Sequence, residues 1–292
     1  MKRSLRTARS AVVALVAALA IVVPGAGAAF AHPPRVVYDA LGDSYASGYG
    51  VPPYAECGRS QGAYAVQLDG RQRLRLDDFV ACAGATTTSL VSGGQLAALD
   101  AETDLVTLTI GGNDVGWSTA VVACLGGTDA QCTGAVAVVD ARITGELPAL
   151  LDTVYAQVAA AAPNARVVVT GYPRLFSPEH GPYLAASPAE LTSLNAAADT
   201  LDTVIAAAAT RAGFRFVDVR QRFEGHGANS PDPWILGPSD PGAFHPTIEG
   251  YEAYTAAVSS TLGRVKPGCG RHHREATPFT LTGQDARCRP PR

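Results

Sequence analysis

The sequence predicts an α/β fold in which a mainly parallel sheet is covered by helices on both faces. Two observations lead there. Five short apolar runs rich in β-branched residues recur at 36–41, 79–82, 105–110, 166–170 and 214–219. Stretches with Ala, Leu and Val at helical spacing fall between and after them, at 62–68, 145–162, 188–212 and 247–262. Short buried strands alternating with helices form parallel sheets, whose crossovers place the helices on the faces. Ligands in such folds bind at the carboxyl ends of the strands.

Taken in order, the chain starts with Met1-Lys2-Arg3-Ser4-Leu5-Arg6, continues through an apolar stretch at about 11–23 and reaches Ala29-Phe30-Ala31. A basic start, a short apolar core and a small-x-small end predict a secretory signal peptide, 1–31, cleaved after Ala31. The rival is a membrane anchor, since the uncharged run 11–31 has the length to span a bilayer. Pro24, Gly25 and Gly27 interrupt that run and favour the cleaved signal. The remaining stretch of about 260 residues is long enough for one large domain with a full core. That domain is expected over 32–268, followed by a charged tail at 269–292.

The first run, 36–41, leads directly into Gly42-Asp43-Ser44-Tyr45-Ala46-Ser47-Gly48. Glycines and small residues allow a sharp turn there, and a serine in that turn stands clear of the sheet as a candidate nucleophile. The third run meets Gly111-Gly112-Asn113-Asp114, where the Asn113 amide is a candidate donor to a developing oxyanion. The long loop 225–241, rich in Gly, Pro, Asn and Ser, delivers His245 ahead of the last helix, as a candidate general base for Ser44. Each residue also has a plain structural reading. Ser44 suits a helix N-cap, Asn113 a turn, and His245 before Pro246 a surface loop. Asp43 and Asp114 read as turn or cap residues. His32, His180, His226, His272 and His273 have no matching context. Trp117, Leu175, Phe176 and Trp234 could line an apolar acyl groove or anchor loops, and Tyr172-Pro173 could line the pocket or simply turn the chain.

Strand-end serine, strand-end asparagine and pre-helix histidine, in that order, resemble the SGNH (GDSL) hydrolase family, and its secreted actinobacterial esterase and lipase branch in particular. The resemblance spans 36–262. It implies a flavodoxin-like three-layer α/β/α sandwich with a five-stranded sheet. It also implies that Gly84, in Val80-Ala81-Cys82-Ala83-Gly84-Ala85-Thr86, gives a backbone N–H to an oxyanion hole shared with Ser44 and Asn113. One position departs from the pattern. The family usually has an aspartate three residues before the histidine, where this chain has Gly242; Asp240 is the nearest upstream acid. A backbone carbonyl can also fix the imidazole tautomer, as in some family members. The Gly242 carbonyl is the preferred orienting group, with the Asp240 carboxylate as the alternative.

Six cysteines fit export and allow fifteen pairings. Order along the chain favours Cys57–Cys82, Cys124–Cys132 and Cys269–Cys288. The cysteine spacing does not match a structural zinc site, so no metal is expected. A formal charge of only −3 offers no field for nucleic acid, and 7% aromatic content gives little material for a base-stacking platform. The expected protein is a secreted, monomeric esterase or lipase without cofactor or stable membrane anchor, acting on a small-molecule or lipid ester. The alternatives are an acyltransferase, a polysaccharide deacetylase, or a non-catalytic carbohydrate-binding module.

Overall fold

The computed structural model describes residues 35–263. The expected signal peptide, the tail 269–292 and the Cys269–Cys288 pairing lie outside the described residues.

Five strands form one all-parallel sheet: β1 (Val36–Gly42), β2 (Leu74–Phe79), β3 (Leu105–Thr109), β4 (Arg166–Thr170) and β5 (Arg215–Val217), in spatial order β2-β1-β3-β4-β5. Every residue of β3 is buried, as in a central strand covered on both faces. The second strand begins five residues earlier than the apolar run at 79–82 indicates. β2 lies at the sheet edge, and its sequence Leu-Arg-Leu-Asp-Asp-Phe keeps Arg75, Asp77 and Asp78 on the outside. The run at 79–82 continues the pairing beyond β2, with Val80 N–H donating to Ala40 O at 3.0 Å and Cys82 N–H to Gly42 O at 2.9 Å.

The helices fall into two packing groups. One contains α1 (Ser44–Ser47), α2 (Tyr64–Leu68) and, at the chain's end, α8 (Ile248–Leu262). The other contains α3 (Thr87–Ser92), α4 (Trp117–Gly126), α5 (Asp129–Gly145), α6 (Leu147–Ala161) and α7 (Pro188–Arg211). The sheet lies between them. The sequence indicates α2, α6, α7 and α8 but not α3, α4 or α5. In α5 only Cys132, Val139 and Ile143 are buried, so its apolar stripe is too thin to read from the pattern. Its start is nevertheless encoded, because Thr128 and Gln131 cap it reciprocally. A capping box of Ser187 and Glu190, with Pro188 in the first turn, starts α7 in the same way.

Disulfides join Cys57 to Cys82 and Cys124 to Cys132. The first ties the loop after α1 to the segment after β2. The second joins the last turns of α4 to the first turn of α5. Among the described residues no helix is long and apolar enough to cross a membrane.

The strand order fixes where a ligand can sit. From β1 the chain moves outward to β2, then returns to the other side of β1 as β3, so β1 and β3 flank the topological switch point. Ser44 follows β1 and Asn113 follows β3.

Candidate active site

The turn after β1 is sharply specified. Gly42 has φ +131°, and a Cβ there would lie 2.3 Å from Thr109 O. Only glycine lets β1 and β3 close together at this level. Gln95, buried and absent from the sequence-based candidates, binds the peptide groups on both sides of Gly42: its Oε1 accepts the Gly42 N–H at 2.8 Å and its Nε2 donates to Gly42 O at 3.0 Å. Asp43 then caps α1 by accepting the Tyr45 N–H at 2.9 Å. Ser44 is the first residue of α1, so its N–H belongs to the set that a helix leaves without an internal acceptor.

His245 arrives on a small hairpin. Leu236 N–H donates to His245 O at 2.9 Å, Phe244 N–H to Leu236 O at 3.0 Å, and Thr247 N–H to Trp234 O at 2.9 Å. Thr247 then caps α8. His245 Nε2 lies 2.7 Å from Ser44 Oγ. On the other side of the ring, Nδ1 is 2.9 Å from Ala243 O and 3.3 Å from Gly242 O. Main-chain carbonyls therefore face Nδ1, and the Ala243 carbonyl, not weighed from the sequence, is nearer than that of Gly242. Asp240 is exposed, and its carboxylate accepts the Gly237 N–H at 2.9 Å. The glycine at 242 has a steric reason. A Cβ there would lie 2.5 Å from Gly50 Cα, so the two backbones meet where a side chain would have to fit.

The two remaining candidates are tied to each other. Gly84 has φ +81° and open space where a Cβ would project. Asn113 Nδ2 donates to Ala85 O at 2.9 Å, and Asp114 accepts both the N–H and the hydroxyl of Thr87. The Asn113-Asp114 pair thus holds the Gly84 turn against the end of β3, and one Asn113 amide hydrogen stays available.

Burial lowers the His245 pKa from its ordinary value, against the opposing pull of the two carbonyls. Burial also raises Asp43 to about 7, although Tyr172, Tyr45 and Ala46 all donate to it. Asp43 therefore sits behind Ser44 as a buried, fully engaged carboxyl group.

A cavity of about 770 Å³, including its open mouth, lies in front of Ser44 and His245. Trp117, Tyr172, Pro173 and Leu175 line it as the groove reading expects, and Val121, Val122, Leu201 and Phe244 complete the apolar wall. Trp234 does not line it. Its ring stacks on His226 with centroids 3.7 Å apart, which makes it a loop anchor. Phe176 is buried behind the wall, 6.0 Å from the Phe244 ring. Among the described residues no group of three His, Cys, Asp or Glu side chains could hold a metal ion.

What such a set of groups can do together is acyl transfer. A hydroxyl bonded to an imidazole can be deprotonated as it attacks, and nearby N–H groups can receive the charge that develops on a carbonyl oxygen. Comparison with known proteins narrows the class. Residues 40–253 match the profile of the GDSL-like Lipase/Acylhydrolase family. Lipase 1 of Streptomyces coelicolor is 37% identical over 249 residues, covering 81% of this chain and 91% of that protein. A lipase of Streptomyces rimosus is 36% identical over 258 residues, covering 86% and 95%. The solved structure of the extracellular lipase of Streptomyces rimosus superposes with a TM-score of 0.74 at 36% identity, over 77% of this chain and 99% of that one. Phospholipase A1 of Streptomyces albidoflavus NA297 gives 0.70 at 36% identity, over 78% and 99%. The chain belongs to the GDSL-like lipase/acylhydrolase family, and it is a carboxylic ester hydrolase.

Proposed function

We propose that the protein is a secreted esterase or lipase that cleaves lipid or other acyl esters through a serine acyl-enzyme. The observation that carries this reading is the 2.7 Å contact between His245 Nε2 and Ser44 Oγ at the head of an apolar cavity. His245 takes the Ser44 proton as the hydroxyl attacks the ester carbonyl. The Ser44 and Gly84 N–H groups and the Asn113 amide receive the oxyanion. The alcohol leaves with the proton from His245, and water then releases the acid by the same steps. The main-chain carbonyls facing Nδ1 keep the proton on that nitrogen, so Nε2 stays free to act as base. Lipid esters are favoured by the apolar cavity wall and by the lipase and phospholipase A1 relatives. Export is supported by the composition of 1–31, by the two disulfides and by the extracellular relative.

The test is hydrolysis of a nitrophenyl ester series from acetate to palmitate by oxidised mature protein. Ser44→Ala should abolish turnover. Asn113→Ala should lower kcat about a hundredfold or more, the usual effect of losing one oxyanion donor (~3 kcal/mol). Wild-type turnover in Ser44→Ala would refute the mechanism.

A further inference from the structure

Tyr172 follows β4, yet its hydroxyl reaches two other strand-end turns. It donates to Asp43 Oδ2, in the turn after β1, and accepts the Gly112 N–H at 3.1 Å, in the turn after β3. The ring is buried and fixed on several sides. Tyr45 meets it edge to face with centroids 5.1 Å apart, and its backbone N–H donates to buried Asp202 Oδ1 at 2.8 Å. A Cβ on Gly112 would lie 3.2 Å from Cζ of this ring, so the glycine permits the approach.

We propose that Tyr172 is a positioning residue whose hydroxyl sets the place of the Asn113 amide relative to Ser44 Oγ. The proposal rests on the reading of Ser44 as nucleophile and Asn113 as oxyanion donor. Gly111 and Gly112 precede Asn113, and Gly111 has φ +119°, so the turn itself has wide conformational freedom. An oxyanion donor must be held to about 0.5 Å of its working position. The Asn113 contact to Ala85 O anchors the turn to the Gly84 segment, not to the nucleophile. Backbone bonds from Asp43 N–H to Thr109 O and from Cys82 N–H to Gly42 O fix the strand ends, but the side-chain path that reaches the Gly112 peptide itself runs from Gly112 N–H to Tyr172 hydroxyl to Asp43, whose other oxygen holds the Tyr45 N–H. A phenol can donate one hydrogen bond while accepting another, which this path requires. Phenylalanine keeps the ring but loses both bonds. Asp43 would still cap α1, so the Ser44 turn would persist while the Asn113 turn came loose.

The test is a double-mutant cycle on a soluble short-chain ester with Tyr172→Phe, Asn113→Ala and the pair, scoring kcat and KM on oxidised protein of verified fold. Tyr172→Phe should lower kcat about tenfold with KM unchanged within about twofold, as expected for an interaction made only in the transition state. The double variant should be no slower than Asn113→Ala alone, because a donor already removed cannot be misplaced. Full kcat in Tyr172→Phe, or a double variant that loses the product of the two single effects, would overturn the proposal. If Asn113→Ala itself keeps wild-type kcat, the underlying oxyanion reading has failed instead. Should Tyr172→Phe not fold, amide exchange in the wild type decides: the Gly112 amide should exchange about tenfold or more slower than a free amide, and unprotected exchange would overturn the link.

Discussion

The Tyr45 hydroxyl donates to the Phe244 carbonyl at 2.6 Å, joining the residue after Ser44 to the residue before His245. Phe244 has φ +62°, a left-handed conformation that non-glycine residues adopt at a cost. This turn brings the Ala243 carbonyl to within 2.9 Å of His245 Nδ1. Tyr45→Phe should therefore lower kcat about tenfold with little change in KM, and lower stability by about 1 kcal/mol, the typical net worth of one hydrogen bond. Steady-state kinetics and urea unfolding of the same variant check both parts.

The pH profile follows from the direction of the His245 shift. Burial lowers its pKa, so the neutral base persists below the ordinary histidine value of 6.5. The profile of kcat/KM should rise with pH through an inflection below 6.5 and then stay level through neutrality. Rates between pH 4.5 and 8 on an ester stable in that range check this. An acid-limb inflection above 6.5 would contradict it.

Restoring the aspartate usual in the family should not help this chain. Gly242→Asp would place a Cβ 2.5 Å from Gly50 Cα, and neither backbone can yield as a flexible side chain would. The expected result is a loss of stability of about 1–3 kcal/mol, as for other overpacked positions, together with reduced kcat. Gly242→Ala should show most of the same stability loss, because the clash begins at Cβ. Thermal melts of the two variants separate this steric effect from any effect of the added charge.

Asp202 gives a test in stability. Its Oδ1 accepts the Tyr172 N–H, its Oδ2 lies 3.4 Å from Arg220 Nε, and burial raises its pKa from 3.8 to about 8. A carboxyl raised on folding stabilises fully below its unfolded value, and that contribution is lost as pH rises through the folded value. Relative to wild type, Asp202→Asn should gain stability between pH 4 and pH 8, by an amount on the order of a few kcal/mol. Urea midpoints of both proteins across that range check the sign. A constant difference would show that Asp202 does not titrate there.

Much of the sheet and of the site's ingredients is legible in the sequence, because buried parallel strands are written as apolar runs and strand-end turns as glycines. The limits have physical causes too. β2 is half polar because it forms an edge, so its apolar tail at 79–82 stands out more than the strand itself. α5 buries a narrow stripe and blends into its polar surroundings, whereas α4 is short and apolar on more than one face, with exposed Val122 beside buried Val121, so no helical stripe marks it. Gln95 and Tyr172 act through contacts tens of residues away, which no local pattern records. The choice between the Gly242 and Ala243 carbonyls depends on the left-handed turn at Phe244, where the residue type gives no hint of the conformation.

The charges along β2 matter for more than its assignment. A bare sheet edge presents unpaired N–H and C=O groups to any extended chain that drifts against it. Here Arg75, Asp77 and Asp78 lie along that margin, so a second molecule attempting to add a strand would have to strip water from ionised groups first. At the other margin β5 has only three residues and starts with exposed Arg215. Both edges of the sheet are therefore guarded against fibre-like growth.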